Sequence, residues 1–400
     1  MTASSSPTPI YIHACGSHSA LGATPLQIQQ SLLQGESVGM KGERFTLNDG
    51  KQVIVGRAIG DLPEIGPQFE HQQTRNNRLA LSALKQIEAD IQQAISTYGS
   101  DRVAVVVGSS TSGIANGEAA LKPVATGGEL PEEYHYYQQE LSNLSEFVSD
   151  YFSLCGPSYV VSTACSSSGR VFITAKRLLL SGLADAVIVG GTDTLCRLTL
   201  NGFHGLDSVS SDLCQPFGAE RDGINIGEAA AFMLLSLTRP VSDPVIALLG
   251  TGDSSDAHHI SAPQPDGLGA EKAMRNALED AGLKAEEIGY VNAHGTATPL
   301  NDAMESKAIS VVLGHDVPVS STKPFTGHTL GAASAIEAAI CWHILSHDLP
   351  LPRPAKELKM DPGIAPVSLV TPGEKLKKNA ILSNSFAFGG NNVSLIFGKL

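Results

Sequence analysis

Four short segments of this 400-residue chain carry side chains able to take part in covalent or acid–base chemistry. The first is Thr163-Ala164-Cys165-Ser166, where a short β-rich apolar run breaks and a helical pattern through Val171, Ala175 and Leu178 begins. A cysteine at that join meets unpaired helix N–H groups and the positive end of the helix dipole, which favour thiolate over thiol. Cys165 is thus placed to be a nucleophile. The competing reading is a small core thiol, because free cysteine is among the most buried residue types. The other three segments are Asn292-Ala293-His294-Gly295-Thr296-Ala297-Thr298-Pro299, Ser321-Thr322-Lys323-Pro324-Phe325-Thr326-Gly327-His328, and Phe388-Gly389-Gly390. With 12 histidines in the chain, either His294 or His328 alone would be ordinary. What sets them apart is that each polar group falls at a strand end or turn, the place where open α/β sheets collect ligands.

The elements that must position these groups alternate. Strand patterns at residues 10–16, 102–108, 185–191, 245–250, 288–293, 317–321, 380–385 and 392–398 are interleaved with helical patterns at 25–34, 76–98, 141–152, after Cys165, and at 271–282, 302–313 and 331–347. Strand, helix and strand in succession imply parallel crossovers. The composition shifts around Pro240, and the alternation then starts again. Two similar α/β halves are expected, residues 1–240 with Cys165 and residues 241–400 with His294, Lys323, His328 and Phe388. The small-residue turn at 108–113 lacks the GxxxxGK[ST] spacing of a phosphate cradle. It reads as a pocket wall, with Ile114 just beyond it. Residues 125–140 are polar and aromatic and are expected to cross the surface or meet a partner subunit.

Totals exclude several classes of function. A formal charge of −13 disfavours nucleic acid, whose binding depends on neutralising phosphates with Lys and Arg. Six cysteines without a CxxC pair or zinc spacing read as reduced thiols of a cytoplasmic protein, and no metal site is expected. No apolar run approaches the roughly 18 residues of a membrane helix. The Ser/Thr/Pro-rich start shows no secretory pattern and is expected to fray.

The four segments, together with Arg221-Asp222-Gly223 followed by Gly227-Glu228, resemble the β-ketoacyl-acyl-carrier-protein synthases of the thiolase superfamily, especially the elongating enzymes with one Cys and two His. The resemblance implies a thiolase-like α/β fold of two pseudo-duplicated halves in an αβαβα layering. It implies that Cys165 carries the acyl chain, that His294 and His328 stabilise the malonyl-derived enolate, and that Lys323 and its carboxylate partner Glu337 support them. The N–H groups of Cys165 and Phe388 would form the oxyanion hole. Phe388, Gly389 and Gly390 would form a gate beside a second loop with Asp256 and His259, while Thr296 and Thr298 would bind the phosphopantetheine arm. Ile114 would limit chain length, and Arg75 and Arg78 would dock an acidic carrier protein. The arm arrives on the carrier, so no cofactor of the chain's own is implied. A homodimer is implied, or a heterodimer with a chain-length-factor subunit. Ala387 stands where glycine is usual before the gating phenylalanine, and an alanine has less backbone freedom. Asn391 replaces a common threonine, and with Ser166-Ser167-Ser168 it points to a specialised branch of the aryl-polyene type. A degradative thiolase would need a further cysteine beyond Cys341; a chain-length factor would lack the nucleophile; a Cys-His hydrolase would need only one histidine.

Overall fold

A computed structural model describes residues 8–42, 44–355 and 357–400, so most of the start expected to fray lies outside the described residues. The first half supplies strands β1 (Ile10–Ser19), β2 (Val103–Gly108), β3 (Ser158–Val161), β4 (Ala186–Asp193) and β5 (Ala229–Ser236). The second supplies β6 (Ile246–Ser255), β7 (Ile288–Asn292), β8 (Pro318–Ser320), β9 (Ala380–Ala387) and β10 (Asn391–Lys399). Their order across one sheet is β8-β7-β9-β10-β6-β1-β5-β4-β2-β3, with the short strand Ser368–Leu369 outside β8. Counted within its own half, each set runs third, second, fourth, fifth, first. The chain is therefore a structural duplication, although the halves show no evident repetition of residues. They meet where β1 pairs antiparallel with β6 through Ile10↔Leu248, Tyr11↔Ala247 and Ile12↔Ile246.

Helices α1 (Arg75–Leu84), α2 (Ser142–Phe152), α3 (Ser167–Leu180), α4 (Leu268–Ala281), α5 (Pro299–Leu313) and α6 (Ala333–His347) complete the layers. The middle layer is α3 and α6. Helix α3 packs on β2 and β4 of its own half and on β6 and β10 of the other; α6 packs on β9 and β10 and also on β1 and β5. Such helices must be apolar nearly all round. Along α6, Ala333, Ala335, Ile336, Ala338, Ala339, Ile340 and Ile344 are all buried, and the small alanines let both halves of the sheet approach one helix. Outside, α1 covers β1, β5 and β4, α2 covers β2 and β3, and α4 covers β6 and β10 with α5 against it. The result is helix, sheet, helix, sheet, helix. No helix among the described residues is long and apolar enough to cross a membrane.

Some local expectations shift. The helix expected over 76–98 is broken by a 3₁₀ turn at Lys85–Ile87. The stretch from Gly35 to Pro67, a loop region of weak strand character by its residues, holds a two-stranded hairpin, Arg44–Thr46 with Gln52–Ile54. Helix α3, whose Val171, Ala175 and Leu178 are buried, ends exposed at Leu180, which is 51% accessible to solvent.

Candidate active site

Cys165 sits between β3 and α3, and the sharp turn there is built by small polar residues. Ala164 takes a φ of +52°, a left-handed conformation that costs a non-glycine residue energy unless its surroundings enforce it. The serines supply the enforcement. Ser166 Oγ donates to the Thr163 carbonyl at 2.9 Å, Ser167 Oγ accepts from the Thr163 N–H at 2.8 Å and donates to the Ala164 carbonyl, and Ser168 Oγ accepts from the Ala335 N–H at 3.0 Å. The Cys165 carbonyl accepts from Ser385 Oγ of β9 at 2.9 Å, which ties the nucleophile to the second half.

His294 follows β7. The Glu305 carboxylate, nearly two turns into α5, accepts from the N–H groups of His294 at 2.8 Å and Gly295 at 2.7 Å. Asp302, on the same helix, accepts from Ala297 at 3.1 Å and Phe217 at 2.7 Å, two residues with φ of +63° and +64°. Burial pushes Glu305 up to about 7 and Asp302 to about 6, against the pull of these N–H groups. His328 is held by its backbone: its N–H donates to the Asn225 carbonyl at 2.6 Å, and its carbonyl accepts from Gly227 at 2.9 Å. The Arg221–Glu228 motif thus serves as the rail on which His328 lies.

The Cys165 sulfur and one ring nitrogen from each of His294 and His328 lie within 4.8 Å of one another, all buried. The rings meet edge to face, centroids 5.4 Å apart. On its outer side His294 Nδ1 faces the Lys323 ammonium at 3.3 Å, and Lys323 pairs with Glu337 of α6 at 2.5 Å. His328 Nδ1 accepts from the Leu330 N–H at 3.0 Å. Burial and the nearby Lys323 charge lower both imidazoles, His328 to about 3, so both are neutral at physiological pH. A neutral ring carries one proton, and each outer nitrogen already faces a donor, so each Nε2 bears the proton and points it inward. The trio has the residue types of a metal centre, but ligation needs unprotonated inner nitrogens. The second layer of contacts selects for hydrogen-bond donation.

The thiol departs from expectation. Burial pushes Cys165 up to about 11, while Lys323 and the N–H groups of Phe388 and Cys165 itself pull the other way. The helix terminus does not win against desolvation. Those two N–H groups nonetheless lie against the sulfur, next to where the oxygen of an attacked thioester carbonyl would come to rest.

These residues open onto a cavity of about 290 Å³ lined by Cys165, His294, His328, Thr296, Thr298 and Phe388, with Asp256 and Asn392 beside the turn. Thr296 and Thr298 hydroxyls bond each other at 2.9 Å. The Phe388 turn relies on Gly389 and Gly390, with φ of +80° and +75°. It is stitched to the Asp256 loop by Asp256 N–H to the Gly390 carbonyl and Gly389 N–H to the Ile260 carbonyl, both 2.8 Å. Ala387 is in ordinary extended conformation, so nothing there requires glycine. His259 lies outside the cavity lining, its Nδ1 accepting from Ser261 and Ala262 N–H groups. Ile114 also lies outside it, starting the helix Ile114–Val124; the apolar wall is instead Phe203, Leu206 and Ile224. Arg75 is engaged by the fully buried Glu228 through both Nε (3.1 Å) and Nη2 (2.5 Å). Arg78 donates to the Leu62 and Pro63 carbonyls and pairs with Glu64 at 2.7 Å. Both arginines expected to dock a carrier therefore have structural work, and neither borders the cavity.

The sequence reading missed Glu305, Asp302 and Asp193. The first two had a signal: two carboxylates three residues apart near the start of the helix directly after the His294 segment. Phe203, Leu206 and Ile224 had none, since an apolar pocket residue looks like core.

Comparison with known proteins agrees with this geometry. Residues 8–239 match the β-ketoacyl synthase N-terminal domain and residues 246–354 the β-ketoacyl synthase C-terminal domain. The 3-oxoacyl-[acyl-carrier-protein] synthase 2 of Synechocystis sp. is 30% identical over 98% of both chains. Among solved structures, a chain from the complex of the ketosynthase ApeO with its chain length factor ApeC, from Xenorhabdus doucetiae, superposes with a TM-score of 0.94 at 45% identity over 98% of each chain. The ishigamide ketosynthase/chain length factor gives 0.87 at 25% identity, over 99% of this chain and 100% of that one. The chain belongs to the β-ketoacyl synthase family and is an acyl-transferring condensing enzyme of fatty acid or polyketide synthesis.

Proposed function

We propose that this protein extends acyl chains held on Cys165 by decarboxylating condensation with a malonyl thioester, both delivered on the phosphopantetheine arm of an acyl carrier protein. The carrying observation is the inward-facing trio: one sulfur and two Nε2–H donors, with each outer nitrogen already occupied. In the first half-reaction the Cys165 sulfur attacks the acyl thioester carbonyl. The oxyanion forms between the N–H groups of Cys165 and Phe388, and the departing arm leaves as a thiol carrying the proton that Cys165 loses. In the second, the malonyl carboxylate leaves as carbon dioxide and its electron pair becomes the enolate, whose oxygen accepts from Nε2–H of His294 and His328. The enolate carbon attacks acyl-Cys165, the tetrahedral intermediate collapses to the 3-oxoacyl thioester, and the departing Cys165 thiolate takes a proton from solvent water. Two neutral donors suit an oxygen that is only partly charged before the bond breaks, because they favour the transition state over the ground state.

Thr296 and Thr298, on the cavity wall, offer short hydroxyls to the arm's amides. The carrier itself would rest at the mouth, where Leu206 and Leu300 line the cavity yet are 54% and 63% exposed. A heterodimer with a chain-length-factor subunit is the assembly we favour over a homodimer, supported by the likeness to the ketosynthase–chain length factor complex. The free sheet edge at β3, with Tyr159 39% exposed, is available for that pairing. Six free thiols fit a reducing cytoplasmic setting.

The test is incubation with malonyl-carrier protein and a panel of acyl-carrier proteins, alone and with a co-expressed chain-length-factor subunit, read by intact mass. A 3-oxoacyl-carrier product that disappears in Cys165→Ala is expected. Absence of product with every primer and both assemblies overturns the reading.

A further inference from the structure

Asp193, the last residue of β4, is fully buried and takes no part in the chemistry described above. Its carboxylate is nevertheless saturated with donors. Oδ1 accepts from Ser109 Oγ at 2.7 Å, the Ser110 N–H at 2.8 Å, and the N–H and Oγ1 of Thr111, both at 2.9 Å. Oδ2 accepts from the Gly331 N–H at 2.5 Å and from Ser110 again at 3.1 Å. Every partner is a donor, so the arrangement calls for the anion, although burial favours the neutral acid.

The two clusters held by Asp193 flank the two sides of the active site. Ser110 Oγ reaches the carbonyl of Ala164, the strained residue before Cys165, at 3.5 Å. Gly331 follows Leu330, whose φ is +54° and whose N–H is the donor to His328 Nδ1. A leucine in that conformation must be held there. Gly331 is packed so tightly that a Cβ would run into Ser110 Oγ and Asp193 Oδ2.

We propose that Asp193 is a positioning residue for the decarboxylation half of the reaction: by anchoring Gly331 it aims the Leu330 N–H at His328 Nδ1 and so keeps the His328 proton on Nε2, facing the enolate. This rests on the reading of His328 as an enolate donor. Without the anchor, the Leu330 N–H swings away, Nδ1 is free to take the proton, and the inner nitrogen becomes an acceptor that repels the enolate oxygen. His294 would be untouched, because its tautomer is set by Lys323. Cys165 attack on an acyl thioester would be largely preserved, because the Ser110 contact to Ala164 is long at 3.5 Å and the nucleophile turn is held independently by Ser166, Ser167 and Ser385.

The test compares full-length wild type with Asp193→Asn, in which an amide N–H₂ must face a ring of donors. Three quantities are read: carbon dioxide release from malonyl-carrier protein, single-turnover acylation of Cys165 by intact mass, and the ¹⁵N-histidine spectrum. Carbon dioxide release is expected to fall about 10- to 100-fold, the size of effect known for groups that orient metal-bound histidines. Acylation should hold, and the His328 resonances should move from the Nε2–H pattern toward Nδ1–H. If Asp193→Asn does not fold, Asp193→Glu keeps the anion but displaces it by one methylene from Gly331, and the same selective loss is expected. Equal losses in both half-reactions, no loss in release, or a wild-type His328 protonated on Nδ1 each overturn the proposal. A wild type that makes no 3-oxoacyl product with any primer would instead sink the reading of function on which it rests.

Discussion

The thiol of Cys165 offers the sharpest quantitative test, because two physical effects oppose each other there. A helix N-terminus should lower a cysteine's pKa, yet burial carries Cys165 from its ordinary 9.0 to about 11. At about 1.4 kcal/mol for each tenfold change, that disfavours the thiolate by about 3 kcal/mol. At pH 7 the thiolate fraction is then about one in 10⁴, against about one in 100 for an unperturbed thiol. Iodoacetamide alkylation of Cys165, followed by peptide mass in a Cys155→Ser background because Cys155 is exposed, should rise about tenfold per pH unit from 7 to 10 without levelling. Lys323→Met removes the largest of the effects that oppose burial, so its curve should lie further to the alkaline side. A wild-type curve that levels off at or below pH 8 would refute the argument and show that the helix terminus dominates. The high value does not preclude catalysis: the proton has to leave only when a thioester carbonyl is in place, and the departing pantetheine thiol needs one.

Three further outcomes are expected. His294 and His328 are neutral in the fold, while the unfolded chain takes up protons near the ordinary 6.5, so stability is full above that pH and falls as pH drops toward His328's folded value of about 3. His328 alone should cost about 1.4 kcal/mol per pH unit below 6, so between pH 6 and 5 urea unfolding should show wild type losing about 1.4 kcal/mol more than His328→Gln. Arg75→Ala strands the Glu228 carboxylate, which is wholly buried, and should destabilise the protein by about 3 kcal/mol in chemical denaturation; a change confined to the KM for carrier protein would contradict this. At the gate, Ala387→Gly should leave turnover intact and lower stability by at most about 1 kcal/mol, whereas Gly390→Ala, forced to a φ of +75° with its Cβ against the Asp256 carbonyl, should abolish condensation, as product mass would show.

The chemistry-bearing residues were legible in the sequence because nucleophile, donors and lysine fall in ordered segments at strand ends. The alternation of strands and helices was legible for the same reason that β2 and α6 are buried: their apolar runs are continuous. The strand order was not, since a duplicated topology leaves no mark in the residues once the halves diverge. Nor was the burial of Cys165, which depends on β9 and α6 closing over a helix start from the other half. Arg75 read as a surface cation because its partner Glu228 lies 153 residues away. Ser166-Ser167-Ser168, taken as a sign of branch, has a local mechanical role at the nucleophile turn.

Buried carboxylates are the least legible class, and they explain how this site holds its shape. Ala297 and Phe217, both left-handed, are fixed by Asp302; His294 is fixed by Glu305; Leu330 is fixed through Gly331 by Asp193. Each carboxylate accepts backbone N–H groups on the outer side of the cavity and presents no charge to its interior. Around Cys165 the facing groups are donors: two Nε2–H groups, two backbone N–H groups and, one residue further out, a single ammonium neutralised by Glu337. A second cation among them is excluded by the same burial that keeps both imidazoles neutral. A cavity with inward donors and outward acceptors binds an oxygen better as its negative charge grows. Both half-reactions develop such a charge, one beside Cys165 and Phe388 and the other between His294 and His328, so one cluster of donors around Cys165 can serve them in turn.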